Sequence, residues 1–145
     1  MKIKKRLLSL ALAATMALGL MSGMSMTALA DSDTSYTLTI PSTLSVANSG
    51  WNATDGISAT GTLASGKKLT VTASSANSFK LKSGNNEVGY KLATASTDTE
   101  ATTSWEFTEL SNTATKKDMG IIVENYDDKP AGTYTDTVTF TASVG

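Results

Sequence analysis

The chain has 145 residues, with 12 Lys and Arg against 13 Asp and Glu, and it contains neither His nor Cys. The lack of Cys excludes disulfides, thiolate metal sites, iron–sulfur clusters and cysteine nucleophiles. The lack of His excludes a Ser-His-Asp triad and imidazole ligation of zinc. Most of the remaining polar side chains are hydroxyls and amides, and they indicate no cofactor.

A secretory signal peptide is predicted over residues 1–30. Its basic start runs from Lys2 to Arg6, a largely apolar stretch follows, and Ala-Leu-Ala precedes the acidic Asp31. A basic start, an apolar middle and a small-residue exit are typical of a cleaved export signal. Cleavage before Asp31 would leave residues 31–145 as a single domain.

The alternative for the first segment is a membrane-spanning helix, since residues 7–30 are long enough to cross a bilayer. Gly19 and Gly23 weaken that interpretation, and we expect a secreted, extracellular protein, held at the cell wall, if at all, by non-covalent contacts. Without the signal the chain has eight basic and 13 acidic side chains, a formal net charge of −5. Because a negative chain repels phosphates, we expect no nucleic-acid partner and no membrane contact after signal removal.

Hydroxyl and apolar residues alternate along several segments of the domain. Ser and Thr account for 37 of its 115 residues, and Thr favours strands because it is β-branched. A period of two places one set of side chains in a core and the other in water. The alternating apolar positions are Tyr36, Leu38 and Ile40; Leu44 and Val46; Ile57, Ala59 and Leu63; Leu69, Val71 and Ala73; and Tyr134, Val138, Phe140, Ala142 and Val144.

Turn signals separate these segments at strand-like intervals. Ser-Gly-Asn-Asn at 83–86 lies between two apolar segments and predicts a β-hairpin. In the segment 120–124 the consecutive apolar residues Ile121, Ile122 and Val123 indicate a central strand covered on both faces. Residues 93–103 lack apolar periodicity and predict an exposed loop, and residues 108–119 are the only place for a short helix.

Seven to nine short strands at this spacing predict an all-β fold, an immunoglobulin-like antiparallel β-sandwich. A β-barrel is the alternative. No disulfide can join the sheets, so the core must consist of aliphatic side chains together with Trp105, Phe107, Phe79, Tyr134 and Phe140.

Two segments carry a resemblance to known families. The closing residues 130–144, Pro-Ala-Gly-Thr-Tyr-Thr-Asp-Thr-Val-Thr-Phe-Thr-Ala-Ser-Val, resemble the last strand of spore coat protein U-type, pilin-like and WxL-type surface domains of bacteria. The opening Tyr-Thr-Leu-Thr-Ile-Pro at 36–41 is similar to first strands of such modules. The resemblance implies a secreted or surface-associated structural or adhesive module, and it assigns no functional residue.

Carboxylates are the only candidates for catalysis, because a pair of them can hydrolyse a glycoside. We interpret them as a solvated acidic surface, with Glu106 facing away from Trp105 and Phe107, and predict no enzyme and no catalytic residue. The carboxylates of Asp127 and Asp128 could contribute oxygen ligands to a calcium ion in the segment 124–128. The segment lacks the spacing of a dedicated calcium loop, so we predict no metal site. The candidate carboxylates are Glu106, Glu109, Glu124, Asp127 and Asp128.

Asp136 is the exception among the acidic residues. The period of two places it on the same side as Val138 and Phe140, so that it would point into the core. A position near a strand end, or a bulge that shifts the register, would account for it.

Trp51 and Tyr126 are the candidate ligand-binding residues. Trp51 lies in a turn-rich segment predicted as a loop, where an exposed ring flanked by amides and hydroxyls would stack on a sugar. Together with Tyr126 it would form a small carbohydrate platform. The alternative is that Trp51 folds back and plugs one end of the sandwich.

The sequence therefore predicts a non-enzymatic, secreted or cell-surface structural or adhesive protein. Its first strand would be free to pair with a neighbouring subunit's sheet after signal removal, which would give a homo-oligomer by strand addition. Its expected partners are proteins or glycans at the bacterial surface. The alternative function is a small carbohydrate-binding module that uses loop aromatics.

Overall fold

The computed structural model describes residues 33–41, 46 and 49–145 in full, and the strand backbone of Leu8–Leu12, Ser25–Asp31 and Thr43–Val46. Apart from these two early strands, the predicted signal peptide lies outside the described residues. In chain order the strands are β1 Leu8–Leu12, β2 Ser25–Asp31, β3 Thr34–Thr39, β4 Thr43–Val46, β5 Gly50–Ala53, β6 Ile57–Thr62, β7 Leu69–Ser75, β8 Lys80–Ser83, β9 Asn86–Ala93, β10 Ser104–Phe107, β11 Thr115–Lys117, β12 Gly120–Val123 and β13 Thr137–Val144.

The strands form three sheets, so the predicted all-β fold is confirmed. Sheet A has the order β10-β7-β13-β1-β4, sheet B the order β11-β6-β3-β2, and sheet C the order β5-β12-β9-β8. Every pairing is antiparallel except that of β1 with β13. Each sheet in the described chain has two end strands, so none of them closes into a barrel.

One apolar core joins the three sheets. The predicted alternation holds in β3, where Tyr36 and Leu38 are buried while Ser35 and Thr39 are exposed. The side chains that share this core come from sheet A (Leu69, Val71, Trp105, Phe107, Val138, Phe140), sheet B (Tyr36, Leu38, Ile57, Ala59) and sheet C (Leu81, Val88, Tyr90, Leu92, Ile121, Val123). Its aromatic members include Trp105 and Phe140, whose ring centroids lie 6.1 Å apart.

The predicted hairpin is confirmed by the antiparallel pairing of β8 with β9. Only Gly84 and Asn85 lie between Ser83 and Asn86, and Gly84 has a φ of 59°. A glycine with positive φ at the first position of a two-residue turn matches the twist of the strands on either side. The central strand is confirmed too, since β12 lies between β5 and β9.

The last strand passes from one sheet to another. Thr135 pairs with Lys82 of β8 in sheet C through two backbone hydrogen bonds of 2.9 Å. Two residues later, β13 begins at Thr137 and pairs with β7 in sheet A. Asp136 therefore occupies the crossing point between the sheets, one residue before β13, which accounts for its core-facing position near a strand end.

Three sequence-based expectations were wrong. Eleven of the described strands, β3–β13, lie after the predicted signal, rather than seven to nine. The segment 108–119 contains no helix and contributes β11, which pairs with β6. Trp51 lies in a strand, β5, rather than in a loop. The exposed loop is present and runs from 94 to 103, since Ala93 still belongs to β9.

Candidate functional site

Strand β3 is the first strand of the predicted domain, and its two sides differ. One side pairs with β6, from Ser35↔Thr62 to Thr39↔Ser58, so the strand is docked in its own domain. The other side pairs, within the described residues, with β2 alone, from Ser25↔Thr39 to Leu29↔Ser35. The predicted cleavage point after Ala30 falls inside β2, so that cleavage would remove all but Asp31 of the strand that pairs with that side among the described residues.

The direction of the backbone groups in β3 follows from a contact of Gly61. Gly61 is opposite Tyr36, but its N–H donates to the carbonyl of Ser111, 2.9 Å away and on the far side from β3. In an antiparallel ladder such a pair carries no mutual hydrogen bonds, and bonding alternates along the strand. The N–H and C=O groups of Tyr36 and Leu38 therefore point towards β2, while those of Ser35, Thr37 and Thr39 point towards β6.

Position 61 of β6 requires a glycine, because the backbones of β6 and β3 approach each other closely there. A Cβ at Gly61 would lie 2.7 Å from the Tyr36 Cα and closer still to the Ser35 carbonyl oxygen. Its φ of +134° is also a backbone conformation that favours glycine. This close approach of two backbones holds β3 against β6.

The outward face of β3 is neutral. Ser35 and Thr39 are exposed, and no residue of β3 carries a charge. Natural edge strands are protected from unwanted pairing by charged side chains, short length or bulges. Charged residues do occur on β8 (Lys80, Lys82), β10 (Glu106) and β11 (Lys116, Lys117).

Asp136 is a buried structural residue. Its Oδ2 accepts hydrogen bonds from the Ser75 hydroxyl at 2.5 Å and from the Tyr90 hydroxyl at 2.6 Å. Its Oδ1 accepts from the backbone N–H groups of Thr137 at 2.7 Å and Asn77 at 3.2 Å. Burial, reinforced by the Asp136 carboxylate, raises the pKa of Tyr90, so its hydroxyl keeps its proton and remains a donor.

Trp51 lies against the outer surface of sheet C. A Cβ at Gly120, on the neighbouring strand, would lie 2.6 and 2.7 Å from Cζ2 and Cζ3 of the ring, with the Cη2 between them closer still. Three such similar distances place the six-membered ring face-on over Gly120. The ring is half-buried and compensates for the missing side chain of Gly120 in the sheet surface.

Tyr126 and the Trp51 ring lie towards opposite ends of β12. Trp51 is opposite Ile122 but its ring extends towards Gly120, at the start of β12. Tyr126 follows the other end of that strand and packs, half-buried, against the core. The structure therefore gives the two rings different surroundings.

The five carboxylates considered for catalysis or calcium binding are all exposed, namely Glu106, Glu109, Glu124, Asp127 and Asp128. Glu106 is exposed, as predicted, and forms an ion pair of 2.6 Å with Lys68 that is worth little in water. Asp127 and Asp128 are exposed in the turn after β12. Among the residues that the structure describes, no group of three or more acidic side chains is placed to hold a metal ion.

A cleft of 620 Å³ opens at one end of the domain, between the turn after β6 and the residues after β10. Its charged lining residues are Lys67, Lys68 and Glu109, and neither Trp51 nor Tyr126 lines it. Within the described part of the chain, no helix has the length and apolar character needed to cross a membrane.

No protein-family model, curated protein or solved structure matches this chain. Its site must therefore be inferred from its own residues. Two features escaped sequence reasoning, namely the close approach of Gly61 to β3 and the contact of Trp51 with Gly120. The sequence does place a glycine at each of positions 61 and 120, but only the pairing of strands reveals what lies over them.

Proposed function

We propose that this is a secreted, non-enzymatic structural or adhesive protein of the bacterial surface, which assembles by strand addition. The observation that carries the proposal is the outer side of β3, which accepts an antiparallel strand along almost its whole length. Removal of residues 1–30 would leave the backbone groups of Tyr36 and Leu38 on that side without their sheet partner. An uncharged strand with free backbone groups is a template for another strand.

The finer fold that fits this proposal is an immunoglobulin-like sandwich. The Tyr134 hydroxyl donates to the carbonyl of Pro130 at 2.9 Å, four residues upstream. Such a tyrosine corner is a hallmark of Greek-key sandwiches, where it fixes the turn before a late strand. The passage of the last strand between two sheets at Asp136 supports the same architecture.

The assembly test uses the processed chain, secreted from the full-length sequence and checked by intact mass for cleavage after Ala30. We expect light scattering after size-exclusion chromatography to give a mass above that of the monomer. A synthetic peptide of residues 25–31 should occupy β3 and return the chain to a monomer. A monomer at every concentration, without peptide, would refute the proposal.

A matched pair of peptides makes this test specific to backbone pairing. The backbone N–H and C=O groups of Tyr36 and Leu38 point towards β2. Their register partners Ala28 and Met26 must therefore direct their own N–H groups to β3. N-methylation of the peptide at Met26 and Ala28 should abolish its effect on assembly. N-methylation at Thr27 and Leu29, whose N–H groups point away, should leave the effect intact.

The second candidate function is a carbohydrate-binding module, and the observation that favours it is the Trp51 ring lying flat on sheet C. A flat, partly exposed ring suits stacking on a sugar, with Lys91 two strands away along the same row as a hydrogen-bond donor. Tyr126, whose ring has different surroundings, would then add a separate contact with the glycan.

We expect Trp51→Ala to abolish binding on a glycan array and Tyr126→Ala to reduce it, with both variants keeping the β-sheet circular dichroism of the parent. An array with no signal for the parent chain would exclude this function.

A further inference from the structure

We infer that the strand added to β3 is β3 of a second copy, which gives a closed two-fold dimer; this rests on the proposed function. A strand pairs with its own copy in antiparallel fashion when both strands direct free backbone groups at each other in one register. In β3 those groups belong to Tyr36 and Leu38. The register that brings them together is Tyr36↔Leu38 of the second copy, with Thr37 on the two-fold axis.

This register also matches the side chains. Tyr36 and Leu38 face the core, so their pairing continues the apolar face of sheet B into the second copy. Thr37 meets its own equivalent on the opposite face, with Ser35 opposite Thr39. Since no residue of β3 is charged, no like charges meet at the axis.

Four other edge strands of the described chain are poorer partners. Self-pairing of β8 or β11 would bring lysines together, and self-pairing of β10 would bring Glu106 towards its equivalent. Strand β5 is uncharged but has four residues, against six in β3. Strand β13 is uncharged as well, and within the described residues its side away from β7 pairs with β1 only at Thr137 and Val138. Self-pairing of β13 would leave Thr37→Cys no faster to cross-link than Thr60→Cys, so the experiment below distinguishes it from pairing through β3.

The absence of Cys from the chain makes disulfide mapping of this interface unambiguous. Residues that face each other in a non-hydrogen-bonded antiparallel pair have Cα atoms about 4.5 Å apart, within the range that a disulfide spans. We expect processed Thr37→Cys to form a covalent dimer in a glutathione redox buffer. Thr60→Cys is the matched control, since Thr60 is the register partner of Thr37 on β6, one strand further from the axis.

The expected difference in rate is large. Paired thiols have an effective concentration in the mM range, so at about 10 µM protein Thr37→Cys should cross-link about a hundredfold faster than Thr60→Cys. Ser35→Cys and Thr39→Cys should each fail to cross-link alone, because four residues separate the equivalent positions by about 14 Å. A mixture of the two variants should cross-link.

The outcomes separate this inference from the proposed function. Equal cross-linking of Thr37→Cys and Thr60→Cys, in a chain that still assembles and is dispersed by the 25–31 peptide, would overturn the β3 dimer and leave strand addition standing. A chain that remains monomeric would overturn both. Rapid cross-linking of Ser35→Cys alone would show another register and would also overturn the inference.

Discussion

Replacing Asp136 with alanine is expected to lower the free energy of unfolding by about 3–5 kcal/mol, because it leaves buried donors without an acceptor. The Asp136 side chain is 3 % exposed and accepts four hydrogen bonds, two from the hydroxyls of Ser75 and Tyr90 and two from backbone N–H groups. The measurement is urea denaturation followed by circular dichroism, with the slope compared between variants.

Two variants keep this prediction falsifiable. Asp136→Asn retains the shape of the side chain and one acceptor oxygen, and its cost should be about 1–3 kcal/mol. Asp128→Ala removes an exposed carboxylate from a turn and should change stability by no more than about 0.5 kcal/mol. If Asp136→Ala were as stable as Asp128→Ala, the carboxylate would not hold the crossing between the sheets.

Asp136 also determines the conformation of the loop after β7. The Ser75 Oγ that donates to Asp136 accepts hydrogen bonds from the N–H groups of Asn77 at 3.1 Å and Phe79 at 2.7 Å. Ser78 and Phe79 have φ values of 55° and 58°, a conformation that costs free energy for residues other than glycine. The hydrogen bonds of Ser75 offset that cost, and the Phe79 ring then packs edge-on against Tyr90 at 5.6 Å.

The sequence predicted the parts of the fold that depend on local pattern. Alternation identified Tyr36 and Leu38 as core residues of one strand, and Leu69 and Val71 as core residues of another. These predictions succeed because the period of side chains along a strand is independent of its partners. The hairpin turn at Gly84 was predictable for the same reason, since its φ requirement is local.

The sequence could not predict features that depend on distant pairing. Strand β5 has four residues between two turn signals, too few for alternation to distinguish it from a loop. Strand β11 has three residues and two lysines, and only its pairing with β6 makes it a strand. Asp136 was recognised from its parity as unusual, but its partner Tyr90 lies 46 residues away in the chain.

The candidate site was out of reach for a related reason. The sequence predicted a first strand that is free after signal removal, whereas in the structure β3 pairs with β6 on one side and with β2 on the other. Whether a strand lies at an edge is a property of sheet order, and sheet order is not contained in any one segment. The contact of Gly61 with β3 was also invisible, because it joins residues 25 positions apart.

Replacing Gly61 with alanine is expected to lower the free energy of unfolding by about 3 kcal/mol or more, because strain and collision add. The new Cβ would be 2.7 Å from the Tyr36 Cα and closer to the Ser35 carbonyl oxygen, and both are backbone atoms that cannot rotate away. The φ of +134° adds conformational strain for any residue with a Cβ. Thermal and urea unfolding of the purified variant measure the loss.

Gly66→Ala is the matched control, because Gly66 also has a positive φ, of +75°, but has no atom within 4 Å of a new Cβ. It should lose only the conformational part, about 1–2 kcal/mol. The difference between the two variants then isolates the contact between β6 and β3. An equal loss in both would mean that β3 moves away from β6 without cost, and β3 would then be too loosely held to present the fixed edge that strand addition needs.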